Sequence, residues 1–136
     1  MPQPPLPREA DELLRRPNPA VIATLRADGS PHTAATWYDW DGERMLVNMD
    51  RSRQRLQNMR RDARVSLTAL DGESWYRQLT VFGRVVEIVD DVDLSDIDRL
   101  ATRYTGQPFR NRGRDSVSAW IVVDGWYGWE NASPWP

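Results

Sequence analysis

Six or seven short strands, mostly in hairpin succession, with three short helices between them predict a mainly β protein: a closed or nearly closed antiparallel β-barrel with short helices. Three observations carry this. Two Asp-Gly pairs, Asp28-Gly29 and Asp41-Gly42, separate runs rich in β-branched and aromatic residues, as hairpin turns do. The run LTVFGRVVEIV, Leu79 to Val89, holds Gly83 inside a long strand pattern, where a bulge or barrel bend is expected. The 136 residues fit one domain, 1–136, and a chain of that length buries roughly two-thirds of the surface it exposes when unfolded.

The elements follow in order. Four prolines among the first seven residues make 1–7 an extended, mobile arm. A short helix is expected over Arg8 to Arg16, stopped by Pro17. Strands Ala20 to Arg26, Pro31 to Trp40 and Glu43 to Met49 then form a three-stranded meander. A helix from Ser52 to Arg61 joins the third strand to a fourth, Arg64 to Leu70. The Gly83 strand follows. A helix over Ser95 to Tyr104 has Leu94, Ile97, Leu100 and Ala101 on one face and Gly106 as its stop. Residues Gln107 to Asp115 are turn-rich and read as a mobile loop. Two strands close the chain, Ser116 to Val123 and a short one near Trp126 to Trp129.

Composition narrows the chemistry. There is no cysteine, which removes disulfides and thiol chemistry and suits a reducing cytoplasm. One histidine, His32, nearly excludes Ser/His catalysis and multi-His metal sites, so no metal is expected. Every basic residue is arginine, so lysine mechanisms are out. No apolar run reaches the ~20 residues of a membrane helix, and no signal-peptide pattern opens the chain. A cytoplasmic protein with no membrane association is expected.

The stretch RSRQRLQNMRRDAR, Arg51 to Arg64, concentrates six arginines in fourteen positions, although the whole chain carries a formal charge of −2. Its attraction is therefore local. On the expected helix, Arg51, Arg55 and Asn58 form a polar stripe beside Ser52, Leu56 and Met59. Arginine forks at a helix start suit a phosphate or carboxylate; they could equally form an exposed face that pairs with surface acids. No nucleic-acid partner is expected, because the acidic flanks DWDGE and VDDVDLSDID would repel a polyanion. Asp90, Asp91, Asp93, Asp96 and Asp98 lack EF-hand spacing and read as a solvated helix start.

His32, at the start of the second strand, reads as a surface or satisfied histidine. Gln78 is either an exposed strand glutamine or an amide that reads a heterocycle edge. Trp37 and Trp40 fall on opposite faces of one strand, so at most one faces the core. The seven tryptophans exceed what a core this small needs, and an interface would cover the surplus.

The order PHTAATWYDWDGERMLVNMD, RSRQRLQNMRRDARVSL, RQLTVFGRVVEIVDD and IDRLATRYTG resembles the pyridoxamine 5′-phosphate oxidase-like split β-barrel proteins, especially their deazaflavin (coenzyme F420) dependent branch. The similarity runs from about Leu13 to Trp129. It implies an FMN-binding-like split barrel that forms a homodimer, with the cofactor in a groove at the interface. It places Arg53, Gln54 and Arg55 near the cofactor phosphate, with Asn48 and Met49 close by, and Asn58 of the polar stripe joins these cofactor-binding candidates. Thr33, Ala34, Thr36 and Trp37 would line the ring, and Gln78 matches a glutamine that approaches the cofactor. It implies an oxidoreductase using F420 on a small-molecule substrate, with FMN, or a non-catalytic F420, flavin or haem carrier, as alternatives. The chemistry would lie in the cofactor, so no catalytic residue is named. Arg55 stands where the family commonly has lysine, and the arginine-rich C-terminal motif of true pyridoxamine phosphate oxidases is missing, which argues against vitamin B6 oxidation.

Overall fold

A computed structural model describes residues 2–130 and the backbone of 133–134. Helix α1 (Arg8–Arg15) leads into β1 (Ala20–Leu25), β2 (Pro31–Thr36), β3 (Asp39–Trp40) and β4 (Arg44–Asp50). After α2 (Gln54–Arg61) come β5 (Arg64–Leu70), β6 (Arg77–Asp90), α3 (Ser95–Thr105), β7 (Ser116–Glu130) and the two-residue β8 (Ser133–Pro134). One antiparallel sheet runs β2-β1-β5-β6-β7-β4-β3, with β8 added on β7. The mainly β barrel with three short helices is the expected fold.

Its connectivity differs from the expected meander. The hairpin β1-β2 forms, with Ala20 opposite Thr36 and Leu25 opposite Pro31. Strand β2 then ends at Thr36, and the chain crosses to the far edge of the sheet, where Asp39 and Trp40 pair with Leu46 and Met45 of β4. Strands β2 and β4 never pair. The sheet curls round without closing, and the split between those two strands is where the site lies. The alternation along 31–40 is the same for one strand or two, so the break left no trace in the pattern.

The two closing strands are one. Strand β7 runs unbroken for fifteen residues against β6, and the register slips at Phe82/Gly83 as the glycine led one to expect. A side chain at Gly83 would collide with the Val122 carbonyl, so close backbone approach, and not a turn, requires the glycine.

Two apolar clusters follow from the strand faces. Inside the barrel, Ile22, Met45, Val47, Leu67, Leu79, Val81 and Ile121 pack with Leu13 and Leu14 of α1 and Leu56 and Met59 of α2, so both helices plug the interior. On the outer face of β4, Leu46 packs under Ile97 and Leu100 of α3 and Leu94 just before it, with Trp37, Phe109 and Trp120 alongside. Strand β4 is therefore buried on both faces, which explains its unalternating run MLVNM.

The tryptophans divide accordingly. Trp40 and Trp126 are core, Trp37 and Trp120 border the α3 cluster, and Trp75 and Trp129 are exposed. Trp135 lies outside the described residues. Met1 of the expected arm also lies outside them; from Pro2 onward the arm meets the barrel, with the Trp126 amide donating to the Pro2 carbonyl at 3.1 Å and Leu6 packed on the core.

Candidate functional site

Because β2 and β4 do not pair, carbonyls of both strands face the split. Arg55, the second residue of α2, spans it: Nη2 donates to the Asn48 carbonyl at 3.0 Å and Nη1 to the Ala35 carbonyl at 3.5 Å. Its Nε is buried with no partner among the described residues. The helix begins at Gln54 and not at Ser52, because the Asp50 carboxylate takes both the amide and the hydroxyl of Ser52 and holds 50–53 as a turn. Arg51 is thereby off the helix, paired with Asp90 at 2.7 Å and Asp115 at 3.1 Å. The expected stripe of Arg51, Arg55 and Asn58 is not formed.

The split opens into a groove of about 920 Å³. One wall is β2 from His32 to Thr36 with Trp37 beyond it; the turn Ser52 to Arg55 forms one end. Ile97, Leu100 and Tyr104 of α3 and Phe109 of the following loop face β2. Trp37 stacks on Tyr104 with centroids 5.5 Å apart and planes at 13°, and meets Phe109 edge-on at 6.2 Å. This wall presents flat apolar surface, the kind a planar ring covers. Tyr104 is held neutral, its phenol pushed up to about 12 by burial and its hydroxyl donating to the Asn18 carbonyl at 2.7 Å.

Three arginines converge on the groove. Arg53 is the residue before α2, Arg55 spans the split, and Arg114 arrives from the loop before β7. Burial pushes the Arg55 pKa below its ordinary value, and the charges of Arg53 and Arg114 push it the same way. Burial does likewise at Arg114, where Asp50 opposes and Arg53 reinforces the shift. Both remain cations at neutral pH. No carboxylate residue lines the groove, and none of the three forms an ion pair among the described residues. Asp50 and Asp91 offset part of the charge at Arg114 without pairing with it, and an anion would relieve the repulsion that remains at Arg55.

Most of the expected site residues meet here. Thr33, Ala34, Thr36, Trp37, Asn48, Arg53, Gln54 and Arg55 all line the groove. Three others are placed elsewhere. Met49 points into the barrel and is fully buried. Asn58 is buried too, donating to the Thr24 hydroxyl at 3.0 Å and accepting from Gln54 and Arg61. Gln78 sits on β6 opposite Trp129, away from this groove.

Two further expectations change. His32 is neither a surface nor a satisfied histidine: it is half-buried on the groove wall and its Nδ1 has no partner among the described residues. The acidic run is not simply solvated. Asp91 is buried and accepts from the amides of Asp96 and Ile97, each at 3.0 Å, capping α3 from outside. That cap serves a helix whose preceding residue, Leu94, has φ +64.

Sequence reasoning missed Tyr104, Phe109 and Arg114. The loop Gln107 to Asp115 is irregular as expected, but it is anchored. Asp98 accepts from the Phe109 amide at 3.0 Å and from both Nη atoms of Arg112, and Arg114 reaches Asn48. Its only signal was three arginines in five positions, Arg110, Arg112 and Arg114.

Three hydroxyls on the groove are committed, Thr36 donating to the Trp37 carbonyl, Tyr104 to the Asn18 carbonyl and Ser52 to Asp50. No nucleophile and base are paired among these lining side chains. The groove combines flat aromatic surface with unpaired cations, which suits a flat, anion-bearing molecule.

The chain matches the pyridoxamine 5′-phosphate oxidase family over residues 6–130. Among solved structures it is similar to an F420 reductase, with 30% identity, a TM-score of 0.82, and 89% of this chain and 98% of that one covered. A conserved hypothetical protein from Mycobacterium tuberculosis shares 26% identity at a TM-score of 0.72, covering 95% of this chain and 87% of that one. HupZ of Group A Streptococcus shares the fold at 18% identity and a TM-score of 0.68, with 96% and 99% covered. No curated protein is a significant match. Among the described residues no helix is long and apolar enough to cross a membrane.

Proposed function

The chain belongs to the pyridoxamine 5′-phosphate oxidase family, and on that footing we propose that it is an oxidoreductase that uses reduced coenzyme F420 to deliver hydride to a small unsaturated or quinone-like molecule. The observation that carries this is the charge of Arg53, Arg55 and Arg114, none of them in an ion pair among the described residues, at one end of a groove whose other wall is aromatic. A deazaflavin bears a phosphate and carboxylates on one side and a planar ring on the other. Arg55 gives one hydrogen of each Nη to a carbonyl and keeps the other, donors such a phosphate would take. Likeness to an F420 reductase at 30% identity supports the deazaflavin over FMN.

On this reading Arg53, Arg55 and Arg114 bind the tail and Gln54 borders it. Thr33, Ala34 and Thr36 present β2 along the ring, and Trp37 with Tyr104 excludes water from it. The homodimer is part of the proposal. Trp75 and Tyr76 are 61% and 57% exposed and stack at 4.5 Å, near Trp129 at 37% and Tyr127 at 40%. A second copy would cover this aromatic face, and Gln78, which lies beside it, would reach a cofactor only across such an interface.

The test is titration of the purified protein with F420 and with FMN, followed by single-turnover assays with reduced F420 and quinone acceptors. The expected result is one F420 per protomer and oxidation of reduced F420 on adding acceptor. Tightly held FMN would replace F420 in the reading; F420 binding without turnover would make the protein a carrier. A monomer by light scattering at micromolar concentration would remove the shared interface.

A further inference from the structure

We propose that Asn48 is a positioning residue that sets Arg55 and Arg114 around a single phosphate, with Arg114 as the second arm of that site; this rests on the anion-binding reading above. Asn48 is 4% exposed on β4. Its main-chain carbonyl accepts from Arg55 Nη2 at 3.0 Å, and its side-chain Oδ1 accepts from Arg114 Nη2 at 3.1 Å and Nε at 3.3 Å. One residue thus holds both guanidiniums, one through its backbone and the other through its side chain.

The amide is locked in this sense. Asn48 Nδ2 donates to the Ser118 hydroxyl at 3.1 Å and to Asp91 Oδ2 at 3.4 Å, while the Ser116 hydroxyl lies 3.0 Å from Asn48 Oδ1 and 2.8 Å from Asp91 Oδ2. A flipped amide would set its N–H groups against those of Arg114 and its oxygen against the Asp91 carboxylate, so only one orientation satisfies the network. Phe109 adds a second restraint, its ring 4.8 Å from the Arg114 guanidinium carbon.

Each guanidinium has five N–H donors. Arg114 gives two to Asn48, and Arg55 gives two to carbonyls, which leaves donors on both arms. A carboxylate has only two oxygens to share between the two forks, whereas the three free oxygens and greater charge of a phosphate monoester let each fork take oxygens of its own. Phosphate is therefore the class of group this pair fits best.

The experiment measures Kd for inorganic phosphate, F420 and FMN on the full-length protein and on Asn48→Ala, Arg55→Ala, Arg114→Ala and the two double variants containing Asn48→Ala. Arg114→Ala is expected to weaken phosphate roughly tenfold, as loss of a charge-assisted contact does, and Arg114→Lys to recover part of it. Asn48→Ala removes the hold on Arg114 but keeps the carbonyl that holds Arg55. Its loss should therefore vanish in the Arg114→Ala background and multiply with that of Arg55→Ala. Losses that multiply in both backgrounds overturn the positioning role and leave the proposed function standing. Phosphate bound equally by wild type, Arg55→Ala and Arg114→Ala overturns both. Coupling seen with phosphate, together with no binding of F420 or FMN, supports the inference and overturns the cofactor reading. If Asn48→Ala fails to fold, Ser118→Ala, which removes one of the two acceptors that fix the amide, should show the same pattern more weakly; full multiplicity there overturns the proposal.

Discussion

Arg103 and Arg55 are both half-buried arginines that donate to main-chain carbonyls, yet they behave as opposites. Arg103, on α3, gives Nε to the Tyr38 carbonyl, Nη1 to Arg15 and Nη2 to Leu14 and Arg16, with Asp39 3.6 Å away. It closes the last carbonyls of α1, where a cation is favoured. Arg55 has two carbonyl partners, an orphaned Nε and two cations for neighbours. One guanidinium is satisfied by the fold, and the other is left with capacity that the fold does not use. The contrast separates a residue whose donors the fold uses up from one with donors to spare, the one proposed to bind an anion.

The largest expected effect tests the satisfied side. Arg103→Ala should lower stability by about 3 kcal/mol, because several carbonyls lose a charged donor together. Urea unfolding monitored by tryptophan fluorescence reads this. Ligand affinity of the folded protein should stay within about twofold. A variant that is stable but has lost affinity would place Arg103 in the binding site and dissolve the comparison.

Next comes the unsatisfied side. Arg55→Ala should weaken F420 by on the order of 2 kcal/mol, about thirtyfold, while costing less than about 1 kcal/mol of stability. The freed carbonyls face an open groove, and removing the cation relieves repulsion. Arg55→Lys should recover part of the affinity. Raising salt should weaken wild-type binding more steeply than that of the alanine variant. Wild-type affinity in Arg55→Ala would make Arg55 structural after all.

The smallest effect concerns the anchor of the loop that delivers Arg114. Hydrogen bonding to Arg112 holds the Asp98 carboxyl below its ordinary pKa, with the Phe109 amide also contributing. A depressed folded-state pKa means that the anchor's contribution is present above the ordinary carboxylate pKa and is lost as pH falls through the folded value. Phosphate affinity should therefore decline in acid below about pH 4 in wild type. Asp98→Asn should be weaker at neutral pH and flatter over the same range. An identical acid decline in both proteins would take the effect away from Asp98.

Much of this was legible from residue order alone. Asp-Gly turns and β-rich runs mark strands β1, β4 and β5 nearly to their ends, and Gly83 marks the bulge, because turn chemistry and β propensity are properties of neighbouring residues. The arginines of 51–64 and the face of β2 were visible for the same reason, and eight of the expected site residues do line the groove.

Tertiary structure decided the rest. Nothing local separates Arg51, neutralised by Asp90 and Asp115, from Arg55, two partners short of Arg103 and flanked by like charge. Which acids lie within reach depends on where β6 and β7 return. Met49 and Asn58 share the neighbourhood of the site in sequence, but strand and helix geometry turns both inward. Arg114 carries no periodicity at all, and only the fold brings its loop to Asn48. The sequence by itself determined which segments are strands, where they turn and where positive charge is concentrated. Only the tertiary structure chose which of those charges go unanswered, because compensation is a matter of distance across the fold and not along the chain.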